Sequence, residues 1–144
     1  MRSAMHDLGL TPDLVLVSSA RRTLQTLEAL APWDDVPLVE PMDALYLASA
    51  HAILDVLHNV TETVRSVLVI GHNPGLHELA MVLVGAHGHI HPQPSEAAML
   101  QRLAEGYPTG ALTEFSVAGP WGTLGEGSGK LLRFLAPSDL PDVA

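Results

Sequence analysis

The chain has 144 residues, no cysteine, and 16 acidic against 7 basic side chains, for a formal net charge of −9. That length suits a single domain spanning 1–144 with its own core, the missing cysteines exclude disulfides, thiolate metal sites and a cysteine nucleophile, and the acidic balance argues against a nucleic-acid partner, whose phosphates need a basic footprint. Hydrophobic residues make up 47% of the chain, yet apolar runs such as 14–17, 67–70 and 79–84 fall far short of the ~20 residues of a membrane-spanning helix. The first seven residues also lack the apolar core of a signal peptide. The expectation is a cytoplasmic protein without a membrane partner.

Residues 2–9 read as the last turns of a helix closed by Gly9, with Thr11-Pro12-Asp13 leading into a continuous apolar strand over 14–17. Ser18 and Ser19 follow, and a helix is expected over 20–30, capped by Ser19, with Leu24, Leu27 and Leu30 on one face and Pro32 as its breaker. A short extended piece is expected over 36–39. Ser49 is placed to cap a helix running to Asn59, with Ile53, Val56 and Leu57 as its buried stripe. A second apolar strand over 66–70 then leads through Gly71-His72 into Asn73-Pro74, which predicts a helix with Asn73 as cap and Pro74 at its first position, ending near Val84. Residues 85–94 are rich in Gly, His and Pro; beyond them come a short helix over 96–105 and strands over 111–117 and 130–135, with 119–129 as the hairpin loop between them. Strand and helix alternating before a terminal hairpin predicts a three-layer α/β/α sandwich, its sheet mostly parallel with one antiparallel strand.

Open α/β sheets bind ligands outside the carboxyl ends of their strands, where helix N-termini present free N–H groups. Two such ends carry suitable side chains. Arg22 lies in the first turn after the strand over 14–17, where a cation opposes its own helix dipole and an anionic ligand would offset that cost; the alternative is a surface arginine. His72, just past the strand over 66–70, can donate to a phosphoryl oxygen or can be a hydrogen-bonded loop histidine. Together they make a candidate oxyanion site. His77 reads as structural. His87, His89 and His91 alternate as zinc ligands on an extended segment would, but an exposed glycine-rich loop accounts for them better, and no metal is expected. The GxxxxGK[ST], GxGxxG and GxSxG motifs are absent.

The segments Leu16-Val17-Ser18-Ser19-Ala20-Arg21-Arg22-Thr23-Leu24-Gln25-Thr26 and Ser66-Val67-Leu68-Val69-Ile70-Gly71-His72-Asn73-Pro74 resemble the histidine phosphatase superfamily, most closely its SixA-type phosphohistidine phosphatases. Residues 43–48 and 107–112 are similar to further family segments. The resemblance implies a phosphoglycerate mutase-like fold, no cofactor, and a phosphate pocket to which Arg22 and His72 contribute as catalytic and phosphate-binding residues. It also implies an initial strand ending in Arg-His-Gly or Arg-His-Ala, whose histidine is the nucleophile. None of the eight histidines here follows an arginine, so an N-terminally incomplete chain is expected, with the family's first strand belonging between the strands over 67–70 and 111–117. Ala44 stands near the place of the acid that larger members use, with Asp43 beside it. The lack of an acid favours phosphohistidine, whose imidazole leaves readily, over sugar phosphates or phosphoglycerate. The implied partner is a phosphohistidine-bearing signalling protein, or a small phosphorylated substrate; the rival expectation is a non-catalytic phospho-ligand binding or regulatory protein of the same fold.

Overall fold

The computed structural model describes residues 1–33, 35–85 and 94–140. Helix α1 (Arg2–Asp7) closes as anticipated: Gly9, at φ +69°, donates to the His6 carbonyl while Leu10 donates to that of Met5, a paired C-terminal cap that needs the left-handed conformation glycine tolerates. Strand β1 (Leu14–Ser18) follows and is buried along its whole length. Its even and odd side chains face opposite ways, so Leu14 and Leu16 enter one apolar layer and Val15 and Val17 the other. A strand read as a continuous apolar run is therefore the centre of the sheet, where burial contributes roughly 1.5–3 kcal/mol per large side chain.

Helix α2 (Arg21–Leu30) starts one residue later than expected and is not capped by Ser19. The physical reason is that β1 extends through Ser18, which pairs with Met42, leaving Ser19 and Ala20 to make the turn and Ala20 in the cap position. Ser18 Oγ accepts from the Ala20 N–H at 3.3 Å, and Thr23 Oγ1 lies 2.8 Å from the carbonyl oxygens of both Ser18 and Ala20. Those bonds tie the helix start to the strand end. Leu24, Leu27 and Leu30 pack with Met5 of α1 on Val15 and Val17.

Strand β2 (Leu38–Met42) replaces the extended piece expected over 36–39. Pairing with β1 decides it: the parallel register runs from Leu14 opposite Leu38 to Ser18 opposite Met42. Pro41 is tolerated because β2 is the edge strand and needs no outward donor. A 3₁₀ turn at Asp43–Leu45 leads to α3 (Ala50–His58), where Ser49 accepts from the Ala52 N–H as its sequence position suggested. The chain returns across β1 to β3 (Val67–Ile70), parallel to it, giving the order β2-β1-β3. The Asp13 carboxylate accepts from the N–H groups of Arg65 and Ser66 and so anchors the amino ends of β1 and β3 together.

Helix α4 (Gly75–Val84) begins at Gly75, not at Pro74, and Asn73 does not cap it. The Asn73 amide instead reaches across to the Tyr107 carbonyl at 2.8 Å, a tertiary bond that competes with the local one. Helices α3 and α4 cover the face of Leu14 and Leu16, while α1 and α2 cover the other. Helix α5 (Pro94–Glu105) lies against α4 and the antiparallel pair β4 (Leu112–Val117) and β5 (Gly129–Leu135). The expected α/β/α layering is present, with a difference: the described strands form a three-stranded parallel sheet and a separate two-stranded sheet. Both apolar layers nevertheless continue across the break, since Leu112 joins the cluster of Val17 and Ile70 while Phe115 and Val117 join that of Leu14 and Leu16. Among the described residues, the outer edge of β3 and that of β4 have no strand partner.

Candidate active site

The carboxyl ends of β1, β2 and β3 lie side by side, because Val17 is opposite both Pro41 and Ile70 in a parallel register. The residues just past each strand are therefore delivered to one rim of the sheet. At the end of β1 stands Ser18, followed by the start of α2; after β2 come Asp43 and Tyr46; after β3, His72.

His72 is joined to the β1 end directly: its Nε2 lies 2.8 Å from Ser18 Oγ, across 54 residues of sequence. Ser18 is fully buried and His72 partly exposed. Tyr46, 56% exposed, sets its ring edge-on to the imidazole, with centroids 5.6 Å apart and planes at 74°. The His72 carbonyl accepts from the Leu76 N–H, so the residue is also held by the first turn of α4. Arg22 is the second residue of α2 and exposed, and its guanidinium makes no hydrogen bond or ion pair among the described residues. An unpaired guanidinium in the first turn of the helix that follows β1 can chemically take an oxyanion, as can an imidazole just past the end of β3.

Ser18 and Tyr46 are site residues that sequence reasoning does not reach. A serine at a strand end signals only a turn, and nothing local says that a tyrosine 26 residues before His72 sets its ring edge-on to it. Asp43 sits exposed in the turn after β2, with Ala44 beside it. His77 and His58 take structural roles. His77 Nε2 lies 2.7 Å from the Leu103 carbonyl and its ring stacks on Tyr107; His58 Nε2 lies 2.6 Å from the Leu124 carbonyl. His87, His89 and His91 lie outside the described residues. A cavity of about 320 Å³ lined by Met42, Ala44, Ala52, Asp55, Val56 and Asn59 offers an anion no cation.

Asn73, next to His72, donates to the carbonyl of Tyr107, which belongs to a half-buried polar pair. Thr113 Oγ1 donates to the Tyr107 hydroxyl at 2.9 Å, Tyr107 meets Phe134 edge-on, and burial pushes the Tyr107 hydroxyl above its ordinary pKa.

The fold and its strand-end rim define an α/β protein of the phosphoglycerate mutase-like class. Solved structures of this class superimpose on it. A SixA structure from Nakamurella multipartitia gives a TM-score of 0.74 at 24% identity, covering 94% of this chain and 77% of the other. One from Agrobacterium tumefaciens gives 0.71 at 26% identity, over 94% and 75%. A protein histidine phosphatase SixA complexed with tungstate gives 0.70 at 22% identity, over 97% and 78%. In sequence, the uncharacterized protein Rv1276c of Mycobacterium tuberculosis is 32% identical over 125 residues, 87% of this chain and 73% of its own length. The uncharacterized protein ML1117 of Mycobacterium leprae is 28% identical over 123 residues, 85% and 70%. No family profile matches the chain. The chain has the fold of the SixA-type members of the histidine phosphatase superfamily.

Proposed function

We propose that the protein is a cytoplasmic phosphohistidine phosphatase of the SixA type, acting on phosphohistidine carried by a signalling protein. Arg22 and His72 are its phosphate-binding and catalytic residues. The observation that carries this reading is the Ser18 to His72 contact, which holds the ends of β1 and β3 together beside the start of α2. The relative complexed with tungstate supports it, since tungstate is a phosphate-like oxyanion.

In this reading the nucleophilic histidine arrives on a strand ending in Arg-His that pairs with the free edges of β3 and β4. Its nitrogen attacks phosphorus, the P–N bond to the substrate imidazole breaks, and that imidazole leaves with a proton. Water then hydrolyses the phosphoenzyme. Arg22 and His72 stabilise the equatorial oxygens throughout, the term that dominates phosphoryl transfer. Asp43 and Ala44 supply no buried acid, which suits a leaving group as labile as imidazole.

Arg22 and His72 on the strand-end rim suit the binding of an oxyanion without turnover, which supports a second reading, a phospho-ligand binding or regulatory protein of the same fold. One experiment separates the two. Orthovanadate titrated into the 144-residue chain is expected to bind, with Arg22→Ala and His72→Ala each weakening it by about 1–3 kcal/mol through lost charge-assisted hydrogen bonds. Fusing an apolar strand ending in Arg-His ahead of Met1 is expected to add hydrolysis of a histidine-phosphorylated protein. Binding without such hydrolysis supports the regulatory reading. Equal vanadate affinity in all three proteins removes the site.

A further inference from the structure

Ser18 is completely buried, yet it carries a hydroxyl that needs both a donor and an acceptor. Its Oγ accepts from the Ala20 N–H at 3.3 Å and lies 2.8 Å from His72 Nε2. The amide can only donate. Among the described residues, the acceptor that remains for the Ser18 hydrogen is the imidazole nitrogen.

We propose that Ser18 is a positioning residue that holds His72 in its Nδ1–H tautomer, so that the neutral ring presents an N–H donor to a phosphoryl oxygen. The functional half of this inference rests on the oxyanion reading of the site; the tautomer does not. If Ser18 donates to Nε2, that nitrogen is unprotonated and the ring proton is on Nδ1. The opposite tautomer, Nε2–H, leaves the buried hydroxyl between two donors with no acceptor of its own, an arrangement that buried polar groups avoid. Nδ1 makes no hydrogen bond among the described residues, and the ring is partly exposed, so that donor remains for a ligand. Ser18 is in turn fixed by the sheet: it pairs with Met42, and the next amide, that of Ser19, donates to the Met42 carbonyl. Tyr46 stands edge-on to the imidazole.

The protein contains its own controls. His58 and His77 place Nε2 against the carbonyls of Leu124 and Leu103, which only accept, so those rings carry the proton on Nε2. Long-range proton–nitrogen correlation spectra of the ligand-free chain, recorded where the rings are neutral, should show His72 with the reverse pattern of nitrogen shifts from His58 and His77. Ser18→Ala should move His72 toward the Nε2–H form, and Ser18→Thr, which keeps the hydroxyl, should retain Nδ1–H. A wild-type His72 protonated on Nε2 overturns the inference, as does an unchanged tautomer in Ser18→Ala; should that variant not fold, the wild-type spectrum alone decides. Orthovanadate titration reads the functional half, with a several-fold loss in Ser18→Ala restored by Ser18→Thr. Equal affinity in wild type and Ser18→Ala overturns that half, whereas a wild-type chain that binds no vanadate refutes the oxyanion reading and leaves the tautomer result standing.

Discussion

Gly75 is pressed against the backbone of Ala48 so closely that a Cβ on it would overlap the Ala48 carbonyl oxygen and stand 3.1 Å from the carbonyl carbon. This contact locks the first residue of α4 to the turn that precedes α3. That turn carries Tyr46, which faces His72. The obstacle is backbone, so no side chain can swing aside to relieve it. Gly75→Ala is therefore expected to destabilise the fold by about 1–3 kcal/mol or more, as overpacking does, and also to displace Tyr46. A lowered thermal midpoint together with changed His72 ring shifts is the expected result. An unaltered midpoint would show that the two segments can separate at little cost.

The free edges of β3 and β4 lie between two apolar layers that are continuous across them. Unpaired N–H and C=O groups at such edges invite a strand. The version with a fused apolar strand ending in Arg-His should melt at a higher temperature than the 144-residue chain and show a sharper transition. Amide exchange should slow at Val67–Ile70 and Leu112–Val117. Identical melting and exchange would show that the added strand goes elsewhere.

Burial raises the Tyr107 hydroxyl above its ordinary pKa, while its hydrogen bonds with Thr113 act in the opposite, lesser sense. A raised folded-state pKa means that the stability Tyr107 contributes is fully present below the unfolded value of about 10 and is lost as pH rises through the folded one. Tyr107→Phe should flatten the alkaline fall in stability. At neutral pH the same change should cost about 0.5–1.5 kcal/mol, since Thr113 Oγ1 loses its acceptor. Denaturant melts at two pH values read both effects.

At the surface, the Arg102 side chain hydrogen-bonds Asp139 and stacks over the Phe134 ring, 5.1 Å from its centroid. That bond, with a second from the Ala136 N–H, holds the Asp139 carboxyl below the ordinary carboxylate range. The sign is opposite to that of Tyr107. The stabilisation is present above the unfolded value of about 4 and disappears as pH falls through the folded one. Asp139→Asn should lower the thermal midpoint slightly at neutral pH, less in high salt because exposed pairs are screened, and not at all in strong acid.

Local chemistry made much of this molecule legible. The continuous apolar run before Ser18, the leucines of α2, the Ser49 cap and the Gly9 terminator each depend on neighbours within a turn or a strand, and they stand where the sequence puts them. Arg22 and His72 stand just past the ends of β1 and β3, the chain positions that the strand pattern gives them.

The elements that the pattern missed share a cause. Ser19 and Asn73 have the side chains of helix caps, yet neither caps, because β1 extends one residue further to meet Met42 and because Tyr107 offers Asn73 a better partner. The span of β2 depends on its register with β1 and not on its own apolar residues. The sequence by itself determined which segments are helix or strand and which strand ends carry cationic or imidazole side chains, since those depend on periodicity and turn chemistry. Only the tertiary structure decided that His72 meets Ser18 and Tyr46, that the strands divide into two sheets, and that Gly75 must remain glycine, because each depends on contacts between residues tens of positions apart.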